Sequence, residues 1–179
     1  MAYPLFRLDG KVALVTGGNG GIGLGMAEAL CQAGADIVIW GQSPKKNESA
    51  RARLEALGRR VLVSVVDVAD EASVVAGMAD AVQVMGRLDF VAANAGAGGR
   101  GGPFHELETR EWRRILDVNL DGVFWTLREA CKHMVARSEA GDPGGSLLAV
   151  SSTSVVHGAA RNEAYGASKG ALLGTYIRA

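Results

Sequence analysis

The order of apolar and amphipathic segments predicts a doubly wound α/β fold: a parallel sheet with helices on both faces. Three observations carry this expectation. Short apolar runs alternate with longer amphipathic stretches along the whole 179-residue chain. The short runs are apolar at consecutive positions, as strands covered on both sides require. The first run ends in a cluster of glycines that opens directly into a helical stretch.

The elements follow in order. Val12–Thr16 is the first buried-strand run, and Ile22–Ala33 carries a helical apolar period. Ile37–Trp40 is the second strand. Lys45–Leu57 reads as a polar-faced helix closed by Gly58. Val61–Val66 is the third strand, and Glu71–Met85 is a helix with Gly86 as its C-cap. Leu88–Ala92 is the fourth strand, followed by a glycine-rich loop at 96–102 and a long helix from Thr109 to Arg137. Ser146–Ser151 is the fifth strand and Ala164–Arg178 the last helix. No repeat, low-complexity tract or linker interrupts the pattern, so residues 1–179 read as a single domain.

Composition narrows the function. Nineteen basic residues balance nineteen acidic ones, with no basic run, which disfavours nucleic acid and anionic membranes as partners. No stretch is apolar and long enough to span a bilayer, and the first ten residues lack a signal-peptide core, so the expectation is a cytoplasmic protein. Cys31 and Cys131 form no Cys-x-x-Cys pair and read as buried small hydrophobes. His105, His133 and His157 match no metal-ligand spacing.

Thr16-Gly17-Gly18-Asn19-Gly20-Gly21-Ile22-Gly23 joins the first strand to the first helix. Glycine is needed there because the backbone must turn sharply, approach a pyrophosphate and then pack a helix on the sheet. The helix N-terminus adds free N–H groups and partial positive charge. No Gly-Lys-Ser/Thr follows, so this is not a P-loop. The expected ligand is a nicotinamide dinucleotide. Sites of this kind usually place an acid at the end of strand two for the ribose 2′-hydroxyl. Here that strand runs out as Trp40-Gly41-Gln42-Ser43, without a carboxylate, and Lys45 and Lys46 follow. This leaves NAD or NADP open, with a slight tilt toward NADP.

Strand five ends in Ser151-Ser152, and Tyr165 and Lys169 follow at helical i, i+4 spacing. That spacing puts the phenol and the ammonium on one face. A nearby cation favours the phenolate, so the pair suits proton exchange with an alcohol or carbonyl oxygen. Ser152, at the carboxyl end of a strand, stands where open sheets bind ligands, and its hydroxyl is placed to polarise the same oxygen.

Taken together these residues resemble the short-chain dehydrogenase/reductase family, whose fold is the Rossmann type. The matching elements are Thr16-Gly17…Gly21-Ile22-Gly23, Asp67-Val68, Asn94-Ala95-Gly96, Asn119, Ser152 and Tyr165-Gly166-Ala167-Ser168-Lys169. The resemblance implies that Gly17, Asn19, Gly21, Ile22 and Gly23 hold the cofactor and that Asp67 and Val68 contact its adenine. It implies that Asn94, Ala95 and Gly96 shape the sheet centre beside it. Asn119 would bend the long helix and hold a water in a proton relay. Tyr165 would be the general acid/base, Lys169 would bind the nicotinamide ribose and tune Tyr165, and Ser152 would orient the substrate carbonyl. The implied activity is hydride transfer between NAD(P) and a secondary alcohol or ketone. The implied partners are a small-molecule substrate and a second copy of the chain, through the Trp112, Leu116, Phe124 and Leu127 side of the long helix, an apolar stripe that packing on the sheet explains equally.

Gly166-Ala167-Ser168-Lys169-Gly170 also spells the Gly-x-Ser-x-Gly elbow of serine hydrolases. That elbow needs a strand directly before the serine, and here Arg161-Asn162-Glu163-Ala164 is polar and helix-starting. No Asp, Glu or His follows Ser168 in this sequence, so the hydrolase reading is set aside. One departure from the family bears on function. Its members continue through two more strands, whereas this sequence ends at Ala179 within the last predicted helix, leaving the apolar fifth strand as an edge. Two readings follow: a fragment of a longer enzyme with the C-terminal strands missing, or a truncated, catalytically inactive dinucleotide-binding module.

Overall fold

The computed structural model describes residues 6–99 and 101–174. Five strands form one parallel sheet: β1 (Val12–Thr16), β2 (Asp36–Trp40), β3 (Val61–Ser64), β4 (Phe90–Ala93) and β5 (Ser146–Ala149), in the order β3-β2-β1-β4-β5. The chain winds outward from β1 to β3, then crosses back to lay β4 on the other side of β1. The reversal opens a crevice between the carboxyl ends of β1 and β4, where such sheets take ligands.

The helices are α1 (Gly21–Gln32), α2 (Pro44–Glu55), α3 (Glu71–Met85), α4 (Thr109–Leu116), α5 (Gly122–Glu139), α6 (Ser154–His157) and α7 (Glu163–Ala171). The two-residue period of β1 divides the core. Val12 and Leu14 pack with Val38, Trp40, Val74 and Leu127 on the α3/α5 face. Ala13 and Val15 pack with Ile37, Ile39, Ala27 and Leu54 on the α1/α2 face. Strand ends come where the ladder ends. Ser64 pairs with Trp40, the last residue of β2, so β3 stops two residues short of the predicted Val66. Ala93 and Ala149 close the β4–β5 ladder, so Val150 to Ser152 leave the sheet.

The expected helix Thr109–Arg137 is not continuous. A π turn over Asp117–Asp121 separates α4 from α5 and turns Asn119 fully inward. The last helix is regular over Glu163–Ala171 and tightens to a 3₁₀ turn at Leu172–Gly174; the remainder of the predicted Ala164–Arg178 lies outside the described residues. Strand β5 is an edge among the described residues and is only partly covered, not buried on both faces. Beside it Phe124, Leu127, Arg128 and Cys131 of α5 face Leu147 and Leu172 across a groove of about 1280 Å³, which none of the predicted site residues lines.

Asp89 pins the amino end of this sheet. It accepts hydrogen bonds from the Val12 amide at 3.0 Å and from Arg87 at 2.6 and 2.8 Å, with Lys11 and Arg137 close by. Burial opposes its charge, but the Arg87 hydrogen bonds, the Val12 amide and the neighbouring cations win, holding the carboxyl at about 2. A depressed carboxylate stabilises above its unfolded value, near 3.8, and the contribution fades as pH falls toward 2. The linkage amounts to about 2 kcal/mol. Asp89→Asn is therefore expected to lower unfolding free energy at neutral pH by about 2 kcal/mol and to flatten its fall in acid. Urea unfolding at a series of pH values reads this; equal acid slopes for parent and variant would refute it.

Candidate active site

The glycine turn lies at the mouth of the crevice. Gly17 has φ +66, and a Cβ there would stand 3.2 Å from the Ala95 Cα and the Asn94 Nδ2. Gly23, buried in the first turn of α1, packs directly on the Gly17 carbonyl and the Asn94 amide, leaving no space for a side chain. Around Gly20 and Gly21 the turn faces open space instead, and no side chain caps α1. The first amides of α1 are thus presented outward from a cradle that only glycines close. That is the arrangement a pyrophosphate needs, so the residues present fit a dinucleotide.

Thr16 fastens the two sides of the crevice together. Its Oγ accepts from the amides of Asn94 at 3.0 Å and Ala95 at 2.9 Å, and its carbonyl accepts from Asn94 Nδ2 at 2.9 Å. Asn19 is tied to α2: its Nδ2 donates to Asn47 at 2.7 Å, and Asn47 donates in turn to the Gly41 carbonyl at 2.8 Å. Asn47 is 3% exposed and locks the glycine turn to the end of β2. No feature of its sequence neighbourhood, the first turn of a polar helix, signals this partner 28 residues away.

Past the crevice, Gly96 brings the later residues in. A Cβ on Gly96 would lie 3.3 Å from Asn119 Oδ1 and 3.6 Å from Lys169 Nζ. Asn119 accepts from the Ala97 amide at 2.7 Å and donates to the Ala97 carbonyl at 2.9 Å and to Ser168 Oγ at 3.0 Å. Ser168 is buried inside α7 and bonded to the Tyr165 carbonyl, which is no place for a nucleophile elbow. Lys169 is 3% exposed; its Nζ donates to the Val150 carbonyl at 2.6 Å and lies 6.0 Å from the centroid of the Tyr165 ring. Burial pushes the Lys169 ammonium below the usual lysine range. Ser151 donates to the Lys169 carbonyl at 2.9 Å, so the segment leaving β5 is tied to α7 beside Ser152. Ser152 Oγ accepts from the Ser154 amide at 3.1 Å, and Ser154 Oγ is buried with no partner among the described residues. Asp67 is exposed and accepts from the Ala69 amide, while Val68 is buried against the start of α5. His157 is exposed at the end of α6.

The contacts run unbroken from the glycine turn through Asn94–Gly96 and Asn119 to Lys169. The sequence matches the short chain dehydrogenase family model over residues 11–176, nearly its whole length. The chain belongs to the short-chain dehydrogenase/reductase family. A (-)-trans-carveol dehydrogenase of Rhodococcus erythropolis is 34% identical over 94% of this chain and 64% of its own. A gluconate 5-dehydrogenase of Gluconobacter oxydans is 36% identical over 76% of this chain and 54% of its own. Among solved members of the family, an NAD+-bound xylitol dehydrogenase superposes with a TM-score of 0.87 at 31% identity, covering 93% of this chain and 62% of that one. A 3-ketoacyl-(acyl-carrier-protein) reductase of Brucella melitensis complexed with NADH gives 0.86 at 30% identity, over 94% and 67%. The chain spans about three-fifths of the length of the curated relatives it matches.

Proposed function

We propose that the protein transfers hydride between NAD(P) and a secondary alcohol or ketone. The observation that carries this is the meeting of Asn119 Oδ1 and Lys169 Nζ over Gly96, which joins the glycine cradle to the helix bearing Tyr165. When bound, the dinucleotide supplies the hydride acceptor or donor. Tyr165 takes the proton of the alcohol hydroxyl, or returns one to the ketone oxygen. Lys169, a cation on the same helix face, stabilises negative charge on the Tyr165 oxygen and would hold the nicotinamide ribose when the cofactor is bound. Ser152 holds the reacting oxygen of the substrate. Asn119, whose carboxamide joins Ala97 to Ser168, would hold the relay water beside Lys169. Gly17, Gly21, Ile22 and Gly23 would hold the pyrophosphate, Asn94, Ala95 and Gly96 would lie beside the nicotinamide, and Asp67 and Val68 would contact the adenine.

The whole of residues 1–179 acts as one dinucleotide-binding domain in this reading. No helix among the described residues is long and apolar enough to cross a membrane, in keeping with a cytoplasmic enzyme. Phe124, 53% exposed with the Arg128 guanidinium 5.3 Å over its ring, supplies the outer face for a homo-oligomer; Leu127 is buried in the core instead.

The reading is tested by titrating the purified protein with NADH and NADPH by fluorescence, and by following reduced nicotinamide in a panel of secondary alcohols. Binding of both, NADPH the tighter, with turnover of at least one alcohol is expected; binding of neither would overturn it. Binding without turnover is the outcome that an inactive module predicts. Gln42 is the first exposed side chain past the end of β2, the strand end at which such sites take the ribose. Gln42→Asp is expected to shift the ratio of affinities toward NADH by about tenfold, because a carboxylate repels a 2′-phosphate. An unchanged ratio would count against that assignment of the ribose site.

A further inference from the structure

We propose that Asn162 is a positioning residue that ties the loop after β4 to the helix of Tyr165 and so sets the reach of its phenol. The inference rests on the acid/base reading of Tyr165. Asn162 occupies the cap position of α7, three residues before Tyr165, where an asparagine ordinarily accepts from an amide of its own helix. Here its side chain makes no cap. Instead Oδ1 accepts from the Gly99 amide at 2.7 Å, 63 residues away. A Cβ on Gly99 would lie 2.6 Å from that oxygen, so the approach needs glycine at 99. The preceding residue, Arg161, holds φ at +61, a backbone conformation that L side chains seldom adopt, and its amide is met by Glu163 at 3.0 Å.

The same loop is held at each of three consecutive residues by a side chain from another element. Asn119 holds Ala97, Arg114 of α4 donates to the Gly98 carbonyl at 2.8 Å, and Asn162 holds Gly99. Asn119 and Arg114 fix the loop to the α4–α5 side. Asn162 alone of the three belongs to the segment that carries Tyr165. The loop continues directly from Asn94–Gly96, so a bond from Gly99 to the start of α7 fixes Tyr165 against that floor. Small errors in such a distance are costly to the chemical step while leaving cofactor contacts on the β1 side intact.

Asn162→Ala is therefore expected to lower kcat for any alcohol the parent oxidises by about 10- to 100-fold, with NAD(P)H affinity within about twofold. Only the oxygen is used, so Asn162→Asp keeps an acceptor and is expected to stay within about threefold of the parent. Gly99→Ala, which opens the clamp from the other side, is expected to reproduce the kcat loss, and the double variant to add little to either single change. A readout independent of turnover is amide exchange: Gly99 is expected to exchange faster in Asn162→Ala and at the parent rate in Asn162→Asp. Unchanged kcat, unchanged exchange at Gly99, or failure of Asp to rescue would each overturn the proposal. A dead Asn162→Ala beside a fully active Tyr165→Phe would instead remove the acid/base reading on which it rests.

Discussion

Tyr165→Phe is expected to cut turnover by about 10²- to 10⁴-fold while NAD(P)H affinity stays within about twofold. The change removes one oxygen and keeps the ring. The Lys169 ammonium, 6.0 Å from that ring's centroid, loses no packing partner, and its bond to the Val150 carbonyl does not involve the phenol. Tyr165 is only half-buried and sits on a regular stretch of α7, so the fold has no reason to change. The proton that the phenol would exchange then has no carrier in contact with the substrate oxygen. Steady-state rates on the best alcohol of the panel, read beside a fluorescence titration with reduced cofactor, separate chemistry from binding. Equal rates for parent and variant would remove Tyr165 from the reaction.

Gly23→Ala should weaken cofactor binding by about 100-fold or more, a loss near 2.7 kcal/mol. The new methyl meets the Gly17 carbonyl and the Asn94 amide. The carbonyl is backbone, and Asn94 is itself bonded to Thr16, so neither gives way cheaply. The cradle must open, which in the proposed site would move the amides of Gly21 and Ile22 off the pyrophosphate. Gly25 lies on the same helix with open space around it, so Gly25→Ala has the opposite sign: about 0.5–1 kcal/mol of added helix stability and unaltered binding. Isothermal titration with each cofactor and thermal unfolding of both variants test the pair. Parental affinity in Gly23→Ala would show that the turn does not carry the phosphate.

Periodicity located every strand of the sheet and the helices between them, because a run covered on both faces must be apolar at every position and a helix packed on it must repeat near 3.6. It misjudged ends. Val65 and Val66 are apolar, but their neighbour β2 has already finished at Trp40, and a parallel ladder cannot outrun its partner. It also drew one helix from Thr109 to Arg137, because a π turn adds a residue without disturbing the apolar count enough to show. The family motif named Asn119 and Lys169, yet nothing along the chain says that both stand over Gly96.

The fold class was legible in the alternation of apolar and amphipathic runs along the chain, and the glycine turn and the Tyr165–Lys169 spacing in residues within a turn or two of one another. Which side chains hold those parts in register emerged from the folded chain alone: Thr16 on Asn94 and Ala95, Asn47 on Asn19, Asn119 on Ala97, and Asn162 on Gly99. Such bonds satisfy backbone and amide groups that the fold partly shields from water. Their partners lie tens of residues apart, and the hydrogen-bonding need appears only once the sheet has brought them together.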